Sequence, residues 1–334
     1  MAKQAREIRI ALPSKGLLAQ GSKELLKKVG LAVYNPNPRQ YQAEIPSLPG
    51  VAVIFQRPGD IVVSIRDGSI DFGITGRDVF LEKQGANGSI LELHSALGFG
   101  SCTLNVITPE SWEKINHFKQ LESYQRQVDR PLRIATKFPN LTHSFFADNG
   151  ALAIDIIRAE GALEIAPTVG YADLIVDLVS TGTTLRDNRL KILAGGEVIR
   201  SQACLIANLD RLKKSPETLA IATQLLELIG AHLRANENLA IFANVRGDSA
   251  ESIAELIFQN ETISGLQGPT ISRLITKERE KWHAIHLIVR KNQLHQAIKE
   301  IRGIGGSGVV VSPVSYIFEE EPDEVTNLLA ALEV

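Results

Sequence analysis

The chain has 334 residues, 44% hydrophobic and 22% charged, and 36 Lys and Arg against 38 Asp and Glu give a net charge of -2. This composition excludes the disordered and fibrous classes, and the near-neutral balance leaves no global electrostatic footprint for nucleic acid or an anionic membrane. The length predicts two or three domains, and any phosphate recognition must be local. In chain order, "EIRIAL" reads as a strand and "GLLAQGSKELLKKVG" as a helix with a basic last turn ended by Gly30. "VAVIFQ" is a second strand, "PGDIVVSIRDG" a helix entered after proline, "IDFGIT" a third strand, "RDVFLEKQG" a helix and "CTLNVIT" a strand.

From about Pro109 the pattern restarts after a polar, linker-like stretch. "LRIAT" reads as a strand, "NLTHSFFADNG" leads toward a helix, and "ALEIAP", "ADLIVDLV" and "SQACLIAN" read as strands before the long helix "TLAIATQLLELIGAHLRAN". Short apolar runs alternating with helices predict crossover units, hence two similar α/β lobes, with crossings near residues 108 and 198 and a ligand cleft between them. Each lobe also carries an acid followed by Thr-Gly, Asp71 with Thr75-Gly76 and Asp177 with Thr181-Gly182, a weak internal repeat.

After residue 238 the elements follow a β-α-β-β-α-β order, the split ferredoxin-like pattern. They comprise "LAIFANV", a helix started by Asp248 with Glu251 at capping-box spacing, "GPTISRLIT", "WHAIHLIVR", a helix capped by Asn292, and "GVVVSPVSYIF". Beyond Glu319 lies an acidic tail whose second half, after Pro322, can form a short helix.

Cys102 and Cys204 support neither a disulfide framework nor a zinc site and fit a reducing cytoplasm. The N-terminal segment has no apolar signal core and no run of about 18 apolar residues occurs, so neither secretion nor membrane spanning is expected. The seven histidines show no metal spacing; His283 and His286, three apart on a strand, point to opposite faces. Trp112, Trp282, Phe72 and Phe80 read as packing residues.

The chemistry concentrates in "DLVSTGTTL", Asp177 to Leu185. Ser180, Thr181, Gly182, Thr183 and Thr184 offer hydroxyls and main-chain N–H groups with no bulk at the closest approach, and a following helix start adds its dipole. The lysine of a P-loop is missing, so a triphosphate cradle of that kind is excluded. Asp177, an acceptor when ionised, suits paired sugar hydroxyls, so the turn reads as a ribose 5-phosphate site. The same residue types also close ordinary turns.

The stretch Glu164 to Leu185, "EIAPTVGYADLIVDLVSTGTTL", resembles the signature of the ATP phosphoribosyltransferase family, and "QRPGDIVVSIRDGSIDFGITGRDVFLE", "IALPSKGLL", "GLQGPTIS" and "GGSGVVVSPV" are similar to its other motifs in the same order. The C-terminal matches are those of the long, self-regulated form. The resemblance implies an α/β fold with a two-lobed periplasmic-binding-protein-like catalytic core, lobe I at 1–108 and 199–235 and lobe II at 109–198, and a ferredoxin-like (ACT-like) regulatory domain at 236–334. It implies transfer of the phosphoribosyl group of phosphoribosyl pyrophosphate to N1 of ATP, with Mg2+ held mainly by substrate phosphates, in the first step of histidine biosynthesis. The implied protein is cytoplasmic, binds neither nucleic acid nor membrane, and forms a homo-oligomer from dimer to hexamer.

Carried over, Ser180, Thr181, Gly182, Thr183 and Thr184 hold the 5-phosphate and Asp177 the ribose hydroxyls. Arg57, Lys15 and Glu164 are the catalytic candidates, the two cations on pyrophosphate and the carboxylate near the sugar or its magnesium, while Gly76, Arg77 and Asp78 face the nucleotide. Asn244, Leu266, Thr270, Ser307 and Gly308 fall where the family's histidine effector binds, and feedback inhibition by histidine is implied. Two rival expectations are a non-enzymatic bilobal solute-binding protein and a catalytically silent regulatory subunit; the intact loop argues against both.

Overall fold

The alternating apolar runs assemble into three sheets. The structure, a computed structural model, describes residues 6–332 except 38, 151–152, 160, 181, 267 and 276–280, and not the Thr183 side chain. Contacts divide the chain into two compact units, residues 1–223 with 327–334, and residues 224–326.

In the first unit, lobe I is built from β1 (Ile8–Pro13), α1 (Gly16–Lys28), β2 (Gln42–Glu44), β3 (Val51–Gln56), α2 (Pro58–Arg66), β4 (Phe72–Gly76), α3 (Arg77–Lys83) and β5 (Ile90–His94). Lobe II comprises β6 (Cys102–Pro109), α4 (Leu121–Val128), β7 (Leu132–Thr136), α5 (Pro139–Asn149), β8 (Ile154–Arg158), β9 (Leu174–Val179), α6 (Thr183–Asp187) and β10 (Leu190–Ser201). The chain then returns through β11 (Ala203–Asn208) and α7 (Leu209–Lys214), and α8 (Pro216–Asn236) runs on from the first unit into the second.

The sheets run β2-β3-β1-β4-β11-β5 and β10-β6-β9-β7-β8. Their inner strands pair identically. In lobe I, β1 lies parallel between β3 and β4, and β4 meets the antiparallel β11, itself antiparallel to β5. In lobe II, β7 lies parallel between β8 and β9, and β9 meets the antiparallel β6, itself antiparallel to β10. This is the two-lobed plan expected from the alternating pattern, and the inner strands read as nearly continuous apolar runs because both faces are covered.

The topology corrects three readings. First, the equivalent of Asp71 is Asp173, not Asp177. Asp71 accepts from the Arg9 N–H (2.8 Å) and donates its own N–H to the Arg9 carbonyl (3.0 Å); Asp173 does the same with Arg133 (2.9 and 2.8 Å). The repeat is therefore Arg-Ile-Ala at Arg9 and Arg133, each with an acid at the start of the next inner strand, and Asp177 corresponds to Thr75. Second, the stretch 162–167 is no strand. Leu163 and Ala166 are buried while Ile165 is exposed, a three-residue spacing that makes Leu163–Ile165 a 3-10 turn, and Ile154–Arg158 supplies the strand. Third, all of β6 pairs in the lobe II sheet, so the crossings fall at 99–101 and at Gln202 instead of near 108 and 198.

The second unit contains β12 (Asn238–Arg246), α9 (Ala250–Phe258), β13 (Thr270–Arg273), β14 (Trp282–Arg290), α10 (Leu294–Gly303) and β15 (Gly306–Pro313), in the antiparallel order β13-β14-β12-β15. This is a ferredoxin-like fold. Ile241, Val245, Ile285, Leu287 and Val289 meet Ile253, Ile257 and Ile301 on one face. His283 is buried there, whereas His286 stacks on the exposed Phe242 on the other face, with ring centroids 4.3 Å apart.

Two caps differ from expectation. Ser249 caps α9, its hydroxyl accepting from the Ser252 N–H (3.2 Å), while Asp248 pairs with Lys281 (2.7 Å). Gln293 stands before α10 without a side-chain cap, because Asn292 lies within a preceding 3-10 turn. The acidic tail folds as α11 (Asp323–Leu332), and ahead of it Arg234 donates to the Ile317 carbonyl (3.1 Å) and pairs with Glu319 and Glu324. Among the described residues no helix is long and apolar enough to cross a membrane.

Candidate active site between the lobes

Ligands of open α/β sheets bind outside the carboxyl ends of the strands. Five of the sequence-predicted residues follow or end three adjacent strands there: Lys15 after β1, Arg57 after β3, and Gly76, Arg77 and Asp78 at the end of β4. Lys15 and Arg57 are exposed at the first turns of α1 and α2.

Arg77 and Asp78 are engaged within the protein. The Arg77 guanidinium binds Glu92 through two contacts (2.8 and 3.4 Å), which raise its pKa. Asp78 is 4% exposed and turns inward, its carboxylate accepting from the Ser201 hydroxyl at 2.6 Å while its own N–H donates to that oxygen at 2.9 Å. Gly76 permits this turn, since a Cβ there would lie 2.5 Å from Asp78 Oδ1. The carboxylate expected to look across the cleft instead fastens the start of α3 to the end of β10. Val79 of α3 packs against both lobe cores.

In lobe II, Asp177 lies half-buried near the end of β9 and accepts the Leu178 N–H at 2.8 Å. Burial raises its carboxyl pKa, Glu164 raises it further, and the Leu178 N–H and Lys137 oppose the rise. Glu164 and Lys137 therefore both lie within electrostatic reach of Asp177. Gly182 adopts φ +71° and caps α6, which has only five residues, so the added helix dipole is small. Ser180 and Thr184 are exposed; Thr181 and the Thr183 side chain lie outside the described residues.

Two cavities open on this region. One, of about 530 Å³, is lined by Ser180 together with Arg77, Cys102, Thr103 and Gln202. The other, of about 640 Å³, is lined by residues of both lobes, including Arg66, Glu82, Lys83, Lys137, Phe138 and Arg158. Burial pushes the Cys102 thiol up to about 11, which keeps it protonated. Sequence reasoning missed Lys137, although a cation directly after the strand "LRIAT" occupies the same kind of position as Lys15 and Arg57. Glu82 was also missed: it accepts the N–H groups of Asn140 and Leu141, each at 3.0 Å, at the start of α5 in the opposite lobe.

In the ferredoxin-like unit, Asn244 faces Ser307 in register beside a bulge, and Gly308, at φ +61°, lies next to the Asn244 amide. These three predicted effector residues are brought together. Thr270 is on β13, separated from β12 by β14, and Leu266 is half exposed in the turn before it.

The fold and cleft define a two-lobed α/β core with a Gly- and hydroxyl-rich turn at a strand end, joined to a ferredoxin-like domain. The family model "ATP phosphoribosyltransferase" matches residues 57–234, and "HisG, C-terminal domain" matches residues 235–316. ATP phosphoribosyltransferase 2, chloroplastic, of Arabidopsis thaliana is 44% identical over 98% of this chain and 81% of its own length. ATP phosphoribosyltransferase of Rhodopseudomonas palustris (strain HaA2) is 31% identical over 97% of this chain and 98% of its own. Among solved structures, the ATP phosphoribosyl transferase (HisG:HisZ) complex from Thermotoga maritima matches 67% of this chain and 98% of its own with a TM-score of 0.52 and 26% identity. The chain belongs to the ATP phosphoribosyltransferase family, enzymes of the first step of histidine biosynthesis.

Proposed function

We propose that the chain joins N1 of the adenine of ATP to C1 of phosphoribosyl pyrophosphate and releases pyrophosphate. The observation that carries this reading is the β9 end, where Asp177 precedes Ser180 and Gly182 at the mouth of the interlobe cleft. The N1 lone pair forms the new bond to C1 while the C1–O bond breaks and its electron pair leaves with the diphosphate. Ser180 to Thr184 hold the 5-phosphate, the ionised Asp177 accepts from the ribose hydroxyls, and Arg57 and Lys15 offset charge on the leaving group. Arg77 and Asp78 act as positioning residues, setting Gly76 and the α3 start at the rim of the nucleotide site.

The neighbouring carboxylates Asp177 and Glu164 suit magnesium, a hard cation that takes one or two protein carboxylates besides substrate phosphates. When bound, it would neutralise phosphate charge. Asn244, Ser307 and Gly308 form the core of a histidine effector site, with Thr270 and Leu266 at its periphery, and a homo-oligomer transmits the inhibition.

The test is a spectrophotometric assay for N1-ribosylated ATP with both substrates and magnesium. Turnover is expected in the wild type. Thr184→Ala should raise KM for phosphoribosyl pyrophosphate about tenfold, as for one lost phosphate contact. No turnover at any enzyme concentration refutes the reading.

A further inference from the structure

Resting on the reading that Lys15 offsets charge on the leaving group, we propose that Phe99 is a positioning residue for that lysine. Its ring couples the crossing between the lobes to α1, the helix that follows Lys15, so that the angle between the lobes sets where the ammonium stands.

Gly98 to Ser101 carry the chain from lobe I to lobe II, and the two crossings are bonded to each other. The Phe99 carbonyl accepts the Ala203 N–H (2.9 Å), the Leu97 N–H donates to the Ala203 carbonyl (2.9 Å), and the Gln202 side chain accepts the Gly98 N–H (2.9 Å). The pair therefore bends as a unit, and Gly98 and Gly100, at φ +81° and +70°, give it the freedom to do so. Phe99 and Gly100 rest on one face of α1. A Cβ on Gly21 would lie 2.7 Å from Phe99 Cγ and Cε2, closer than such atoms approach, and a Cβ on Gly100 would lie 2.7 Å from Leu18 Cδ2. Leu18 and Gly21, three residues apart, share that face, and Ser22 beside them is buried. Glycine is costly in a helix interior, and the ring from the crossing accounts for its presence at position 21. Ahead of the helix, Ser14 is pinned by its N–H on the Gln56 carbonyl (2.8 Å). Any tilt of α1 is therefore taken up at Lys15 and at Gly16, which holds φ +80°.

Turnover of the full-length protein is measured for Gly21→Ala, for Lys15→Ala and for the two combined, with a melting curve for each. Alanine is the better helix former, so Gly21→Ala should keep the fold while its Cβ forces the ring and α1 apart. We expect kcat to fall about tenfold with KM for ATP within about twofold, and Phe99→Leu added to Gly21→Ala, which makes room for the new methyl, should recover most of the loss. In the Lys15→Ala background Gly21→Ala should change kcat less than about twofold, because the lysine it misplaces is gone. If Gly21→Ala melts below the assay temperature, Phe99→Leu in the two Lys15 backgrounds carries the same comparison. Equal losses in both backgrounds, or wild-type turnover from a folded Gly21→Ala protein, overturn the coupling and leave the Lys15 reading standing. A Lys15→Ala protein as fast as the wild type overturns both.

Discussion

Asp71 and Asp173 occupy the same place in the two lobes yet titrate in opposite directions. Burial raises the Asp71 carboxyl pKa, against the Arg9 N–H and the charges of Arg6 and Arg9, and its ion pair with Arg211 is loose, at 3.6 Å. Burial acts on Asp173 as well, but two guanidinium contacts, Arg130 at 2.6 Å and Arg133 at 3.0 Å, with the Arg133 N–H, hold it well below the ordinary range. A lowered folded pKa stabilises above the unfolded value of about 3.9 and is lost as pH falls below it, whereas a raised one favours the protonated fold. Asp173→Asn should therefore cost about 2 kcal/mol at pH 7 in urea denaturation, and the deficit should shrink below about pH 4. Asp71→Asn should cost less; equal losses at pH 7 would contradict this account. At Asp177 the raised pKa predicts that ribose 5-phosphate binding weakens on acidification at a pH above that of an ordinary carboxylate, and titration of binding against pH checks it. The acid and Thr-Gly spacing suggested the wrong partner for Asp71, because spacing along one strand does not report which backbone groups the acid meets on its neighbour.

At the scale of elements, α3 is the wedge between the lobes. Asp78 fixes its start to Ser201, Val79 enters both cores, and Glu82 near its end caps α5 across the lobe boundary. A carboxylate at a helix start satisfies orphan N–H groups and suits the dipole. Glu82→Gln retains one acceptor oxygen and leaves one N–H facing an amide NH2, so the cap weakens. We expect a stability loss of about 1 kcal/mol in thermal melts and a raised KM for phosphoribosyl pyrophosphate, because α5 follows β7, which pairs with β9, the strand of the proposed sugar-binding Asp177. A loss of stability with unchanged KM would make Glu82 purely structural. Long inner strands were legible from their apolar runs, but β2 and β5 are short edge strands and β10 alternates irregularly around Gly195 and Gly196, so periodicity could not declare them. Glu82 was invisible for another reason, since its partners lie 58 and 59 residues away.

At the scale of the whole molecule, the proposed catalytic and effector residues fall in different units. The proposed sugar-phosphate turn and the cations at strand ends belong to the first unit, whereas Asn244, Ser307 and Gly308, the core of the proposed effector site, belong to the second. The order of elements after residue 238 made the ferredoxin-like unit readable, but only the fold revealed that Asn244 and Gly308, 64 positions apart, meet at a bulge while Thr270 stands two strands away. Histidine can inhibit only by favouring one state of the enzyme over another, so removing its contact should abolish regulation without touching transfer. In the full-length protein, Asn244→Ala should raise the histidine concentration for half-inhibition about tenfold while kcat and both KM values stay within about twofold. Gly308→Ala tests the same site through the backbone. Its Cβ would meet the Asn244 amide at an ordinary 3.5 Å, so the space exists, but φ +61° strains an L-residue by roughly 1–2 kcal/mol and should shift the turn that Asn244 faces. Inhibition curves that coincide for the wild type and both variants would place the effector elsewhere.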